Sequence, residues 1–168
     1  MKVAFLDRDG TIVKDYTDIE WRDVDTPEFL DGSIEGIHKL IDLGYEIIII
    51  TNQYLINDGI ISIQEYKRFT EKMMGRFSEE KIRILDIFYC PHSKKETCKC
   101  YKPASGLIEA AMQKYPEIDI SYSIMIGDSI CDMELAEHFK MIFYGIIGGN
   151  LSKEDGLYKT INHVAEII

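Results

Sequence analysis

The sequence predicts an α/β fold: a mainly parallel central sheet with helices on both faces. Three observations carry that expectation. Short apolar runs rich in β-branched residues recur at positions 3–6, 45–50, 84–89, 123–126 and 141–144. Continuous runs of this length read as strands buried on both sides. Segments with apolar residues at helical spacing lie between them, and strand–helix alternation implies parallel crossovers. Finally, three of the runs end in polar residues: Asp7 and Asp9, Thr51, and Asp128. Ligands of such sheets bind beyond the carboxyl ends of the strands.

The first run ends in Asp7-Arg8-Asp9-Gly10-Thr11. Side chains of an extended chain alternate faces, so Asp7 and Asp9 converge while Arg8 points elsewhere. Two carboxylates held that close repel unless a cation joins them or one keeps a proton. Such a pair suits either a hard-cation site or a nucleophile beside a general acid.

Residues 14–30 are polar, without sustained period, and read as a loop or small flap carrying Trp21, Pro27 and Phe29. A helix is expected from Asp31-Gly32-Ser33, with Ile34, Ile37 and Ile41 inward and Gly44 closing it. Another spans about residues 63–77, with Tyr66, Phe69, Met73 and Phe77 as its core stripe. After the third strand comes a cysteine-bearing loop at 90–101. Pro103 suits the first turn of the next helix, whose inward residues are Leu107, Ile108, Ala111 and Met112. A helix with Met133, Ala136 and Phe139 inward follows Asp128. Gly148-Gly149-Asn150 reads as a loop, and residues 160–167 as a last helix.

The chain of 168 residues suits a single domain spanning 1–168, which buries about 70% of its unfolded surface without needing a metal or disulfide. No apolar run is long enough to cross a bilayer, and Met1-Lys2 leads straight into the first strand. A cytoplasmic location is therefore expected, with no membrane partner. Net charge is −10 and the pI about 4.8. A nucleic-acid binder needs a basic stripe, and the densest basic spot here, Lys94-Lys95, lies beside Glu96. A small anion in a locally positive pocket stays compatible with that charge.

Within the loop, Cys90-x-His92 and Cys98-x-Cys100 form two close pairs separated by five residues. In a reducing compartment this pattern favours a Cys₃His zinc site over disulfides. Four protein ligands leave no open position, so such zinc is structural. Cys131 reads as a small buried residue. His38, His138 and His163 lack partner spacing and read as structural or surface residues.

Taken together, D-R-D-G-T at Asp7–Thr11, T-N-Q at Thr51–Gln53, Lys102-Pro103 and Gly127-Asp128 resemble the four motifs of the haloacid dehalogenase superfamily of phosphohydrolases. That resemblance implies a three-layer Rossmann-like fold with little or no cap. It makes Asp7 the nucleophile that becomes an aspartyl-phosphate and Asp9 the general acid. Thr51, Asn52 and Lys102 bind the phosphoryl group, Lys102 together with a helix N-terminus. Mg²⁺ is held by Asp7, the backbone carbonyl of Asp9 and Asp128, with Asp132 in support. Asp128 and Asp132, four apart, share one face of a helix start.

With the cysteine loop, residues 3 to about 140 resemble the branch holding histidinol-phosphatase domains and heptose 1,7-bisphosphate phosphatases. The implied activity is Mg²⁺-dependent hydrolysis of a small phosphorylated metabolite, of sugar phosphate or histidinol phosphate type, by a monomer or dimer. Tyr101 stands where that branch usually has Arg, Ser129 where it often has Lys or Arg, and Tyr54-Leu55 where it favours Ser-Gly. The alternatives are a polynucleotide 3′-phosphatase, which would lack this cysteine loop, and a non-catalytic phospho-acceptor module of receiver type.

Overall fold

The computed structural model describes residues 1–148, 151 and 159–167. Its centre is a six-stranded sheet of order β3-β2-β1-β4-β5-β6, every neighbouring pair parallel. The strands are β1 (Val3–Leu6), β2 (Glu46–Asn52), β3 (Asp86–Cys90), β4 (Ile124–Gly127), β5 (Ile142–Ile146) and β6 (Lys159–Ile161). Four helices connect them: α1 (Ser33–Asp42), α2 (Ile63–Glu79), α3 (Gly106–Lys114) and α4 (Ile130–His138). Strand order reverses at β1, so the crevice between the ends of β1 and β4 is the natural ligand position. Among the described residues no helix is long and apolar enough to cross a membrane.

Alternation along the strands divides the interior into two cores. Ala4 and Leu6 of β1, Ile47 and Ile49 of β2 and Ile126 of β4 join Ile37, Phe69, Met73 and Phe77 on one side. Val3 and Phe5, Ile48 and Ile50, and Met125 join Leu107, Ile108, Ala111 and Leu135 on the other. The α2 stripe is buried as its spacing predicts, and a Ser62–Glu65 capping box starts that helix. Gly44, at φ +83°, closes α1 in a conformation that L side chains avoid.

The segment at 14–30 folds as a flap clipped at its base by a Val13–Phe29 bridge. A 3₁₀ turn, Glu20–Asp23, drives Trp21 against Phe69 of α2, with ring centroids 5.5 Å apart. Asp25 pairs with Arg68 and Lys72 of the same helix.

Three expectations need correcting. Pro103 does not open α3, which begins at Gly106, so residues 103–105 form a turn between Lys102 and the helix. In α4 it is Leu135, with Ala136, that is fully buried, while Met133 and Phe139 pack only partly. Residues 160–167 are not one helix: β6 pairs with β5, and a 3₁₀ turn, Val164–Glu166, follows. The apolar spacing of Ile161, Val164, Ala165 and Ile167 imitates a helix, but the open edge of β5 takes up the backbone groups of Thr160 and Ile161 instead. That turn packs on α1 at Gly36, where a Cβ would lie 2.4 Å from the Val164 carbonyl carbon. Gly149 and Asn150 of the expected loop lie outside the described residues.

Candidate active site

A pocket of about 230 Å³ opens at the carboxyl ends of β1, β2 and β4. Asp7, Asp9, Thr51, Asn52, Lys102 and Asp128 all line it. Residues distant in sequence thus meet where the strand ends predict.

Lys102 lies at the floor, 2% exposed. Its ammonium donates to Asp7 Oδ1 at 2.6 Å, Asp132 Oδ1 at 2.7 Å and the Ile50 carbonyl at 3.1 Å. Those three acceptors use all three of its donors. Burial works against the Lys102 charge, but Asp132 and Asp7 outweigh it and hold the ammonium above its ordinary range. Burial pushes the Asp7 carboxyl well up; Asp132, Asp128 and Asp9 push the same way against Lys102. The two shifts pull the pair toward opposite charge states. A lysine with two acidic acceptors stays charged, and the raised Asp7 marks a surplus of acid around it.

Asp128 is pushed up to about 7 by burial, with Asp132 and Asp15 adding to it. Side-chain oxygens of Asp7, Asp128 and Asp132 lie within 4.8 Å of one another. Three carboxylates against one ammonium, with oxygen donors only, fit a hard divalent cation.

Glycine makes room for that cluster twice. At Gly10 (φ +80°) a Cβ would lie 2.1 Å from Asp128 Oδ2, and at Gly127 one would lie 2.4 Å from the Asp132 carboxyl. Gly127→Ala is therefore expected to displace Asp132 and lower kcat by about 10- to 100-fold, since ångström-scale misplacement costs that much. Steady-state kinetics check it, and an unchanged kcat would mean that Asp132 is not held in place by this packing.

The N-cap of α4 follows Asp128 directly in the chain. It is Ser129: its Oγ donates to Asp132 Oδ2 at 2.6 Å and accepts from the Asp132 N–H at 3.3 Å. Asp132 is thus gripped from two sides, by Ser129 and Lys102.

Arg8 does not point away from the site. It is 1% exposed and folds back on Asp9, with Nε and Nη2 donating to the two carboxylate oxygens at 2.8 and 2.9 Å. Gln53 Nε2 donates to Asp9 Oδ2 at 2.7 Å and to Thr51 Oγ1 at 2.9 Å, while its Oε1 accepts from Arg8 at 2.9 Å. Arg8 Nη1 has no hydrogen-bond acceptor among the described residues. The guanidinium lies between the rings of Phe69, Trp21 and Tyr66, 4.9 to 5.6 Å from their centroids. The two aspartates therefore do not share one protein cation: Lys102 serves Asp7 and Arg8 serves Asp9.

Asn52 points to the other side of β2. Its Oδ1 accepts from the Lys102 N–H at 2.8 Å and its Nδ2 donates to the Lys102 carbonyl at 3.1 Å. It clamps the backbone that delivers Lys102. Cys131, expected to be buried, is half-buried and lines the pocket.

The second cluster lies in the loop before Lys102. Sγ of Cys90, Cys98 and Cys100 and Nδ1 of His92 lie within 4.8 Å of one another. Cys90 Sγ is 3.7 Å from Cys98 Sγ and 3.0 Å from Cys100 Sγ, with His92 Nδ1 3.1 Å from the latter. Tetrahedral zinc, with Zn–S about 2.3 Å, separates its sulfurs by about 3.8 Å, so the donors fit that ion with small adjustments. Gly106 seats α3 on this loop, its N–H donating to the Lys99 carbonyl at 2.8 Å.

The polynucleotide kinase 3 phosphatase family model matches residues 2–144. A D-glycero-alpha-D-manno-heptose-1,7-bisphosphate 7-phosphatase of Photorhabdus laumondii is 42% identical over 144 residues, 82% of this chain and 77% of that protein. A D-glycero-beta-D-manno-heptose-1,7-bisphosphate 7-phosphatase of Haemophilus influenzae is 36% identical, covering 79% of this chain and 74% of its own. The chain belongs to the heptose 1,7-bisphosphate phosphatase family of the haloacid dehalogenase superfamily. It is a phosphatase. Its fold matches the crystal structure of D,D-heptose 1,7-bisphosphate phosphatase from B. bronchiseptica, complexed with magnesium and phosphate, at a TM-score of 0.86 and 23% identity. That match covers 98% of this chain and 94% of the other.

Sequence reasoning missed Arg8, Gln53 and Ser129 as parts of this phosphatase's site. The signal for Arg8 and Gln53 was their place inside the quoted motifs, at the alternation that turns each toward the α2 face of the sheet. What they grip there is set by packing that no local pattern reveals.

Proposed function

We propose that this phosphatase hydrolyses a small sugar phosphate, of the heptose 1,7-bisphosphate class named for its relatives, through an aspartyl-phosphate on Asp7. The observation that supports this best is the convergence of Asp7, Lys102 and Asp128 on the floor of one pocket, backed by the buried Asp132, with Asp9 and Thr51 also on its wall.

In this reading an Asp7 carboxylate oxygen attacks phosphorus and the bond from phosphorus to the ester oxygen breaks. Asp9, once protonated and turned out of its pair with Arg8, gives its proton to the departing oxygen. Asp9 then takes a proton from water as that water attacks phosphorus, which frees Asp7 and releases inorganic phosphate. Thr51 donates its hydroxyl to a phosphoryl oxygen, and Asn52 keeps Lys102 aimed at the same centre. Asp7, the Asp9 carbonyl and Asp128, with Asp132 in support, would hold Mg²⁺, which offsets the charge of the phosphate when bound. Zinc in the Cys90, His92, Cys98 and Cys100 cluster would be structural.

Gln53 bridges Asp9 and Thr51, so Gln53→Met keeps bulk while removing both contacts. Its expected result is a kcat lower by about tenfold with KM changed less, because orientation and not uniform binding is lost. A change confined to KM would remove Gln53 from the positioning of Asp9.

The deciding assay is phosphate release, with Mg²⁺ and with chelator, from heptose 1,7-bisphosphate, heptose 7-phosphate, hexose mono- and bisphosphates, histidinol phosphate and a nucleotide 3′-phosphate. Mg²⁺-dependent preference for the heptose esters is expected. Preference for the nucleotide 3′-phosphate would favour a polynucleotide phosphatase, against which the −10 charge argues. A single turnover of labelling without continued release would overturn hydrolysis in favour of a phospho-acceptor.

A further inference from the structure

The pocket must accept a phosphate, yet its walls carry Asp7, Asp9, Asp15 and Asp128. Only two cationic side chains line it among the described residues. Lys102 is one, and its three donors are filled by the floor. An anionic group at the far end of a substrate therefore has one uncommitted cation to meet among the lining residues. That cation is Lys94.

Lys94 rises from the cysteine loop between His92 and Cys98, and its ammonium lies 3.8 Å from the centroid of the Tyr54 ring. Tyr54 is itself fixed: its hydroxyl donates to Asp18 of the flap at 2.7 Å, and its ring lies 6.5 Å from that of Tyr101. Glu96, the acid nearest in sequence, does not neutralise Lys94. It accepts instead from Asn57 Nδ2 at 2.9 Å and from the Ser93 N–H. Among the described residues Lys94 has no carboxylate partner. An ammonium held against an aromatic face at a pocket mouth, with donors free, is suited to take an anion.

Resting on the sugar-phosphate reading above, we propose that Lys94 is a specificity-determining residue that binds a second anionic group of the substrate, the phosphate distal to the one hydrolysed. Tyr101, which flanks the Tyr54 platform, and Ser129, which caps α4, also line the pocket and bring no cation to it.

The test compares wild type with Lys94→Gln and Lys94→Arg on heptose 1,7-bisphosphate and heptose 7-phosphate, and on hexose 1,6-bisphosphate and hexose 6-phosphate. Lys94 is exposed, so both variants should fold, and melting curves check it. For Lys94→Gln the bisphosphate KM is expected to rise about tenfold with kcat nearly unchanged, while the monophosphate keeps its kcat/KM. Lys94→Arg should restore most of the bisphosphate affinity. The bisphosphate advantage should also shrink as salt rises, as it does for an exposed charge pair. Equal losses on both esters, or none, would overturn the role of Lys94. A wild type that ignores heptose esters but shows the Lys94 pattern on the hexose pair would overturn the heptose reading alone. A wild type inactive on every bisphosphate would overturn both.

Discussion

Asp7→Asn is expected to lower kcat by at least about 10⁴-fold, the scale seen when a covalent nucleophile is removed. The amide is close in shape to the carboxylate, and its Oδ1 can still accept from Lys102, so the floor of the pocket keeps its arrangement. Stability should not suffer. Asp7 is a buried acid whose carboxyl is pushed up on folding, chiefly by burial. An acid raised in the folded state binds its proton more tightly there, so above its unfolded pKa its charge opposes folding. Removing that charge at neutral pH leaves the melting temperature unchanged or raises it. Steady-state phosphate release and a thermal melt on the same preparation decide the matter. Substantial turnover in a folded variant would remove Asp7 as nucleophile.

Cys98→Ser should act in the opposite sense, on stability first and chemistry second. With bound zinc lost, about 4 kcal/mol of stability is expected to go, a magnitude reserved for lost metals, cavities and broken buried networks. For a chain of this size that lowers the melting temperature by roughly 8–16 °C. Below the transition, turnover should stay within about tenfold of wild type, because Lys102 is also held by Asn52, Asp7 and Asp132. Metal analysis of the purified wild type is the companion measurement. One zinc per chain in wild type and none in the variant is the expected pair of values, and a wild type without zinc would refute the structural site.

The parts of this protein legible in its sequence are those whose role is local. Asp7, Thr51 and Asp128 are polar residues at the ends of apolar strands, and a parallel sheet gathers such ends whatever the loops do. The clustering of Cys90, His92, Cys98 and Cys100 was legible because they come as two close pairs. Arg8 escaped because its carboxylate partner is its own neighbour, reached by turning back from a box of rings that α2 and the flap supply. The start of α3 escaped for a different reason. Pro103 fits a first helical turn, but the packing of Gly106 on Lys99 delays the helix by three residues. At residues 160–167, helical spacing lost to an open strand edge, a competition decided by a neighbour and not by the segment.

The cysteine loop divides its labour along its length. Its four candidate ligands stand at the two ends, and the five residues between His92 and Cys98 touch none of the floor. Lys94 belongs to that interval, whereas Lys102 follows the last ligand. On the proposed roles of Lys94 and Lys102, substrate choice and bond cleavage are carried on separable stretches of one scaffold. The interval 93–97 is then open to exchange, by transplant or by random library, with the four candidate ligands and Lys102 left in place.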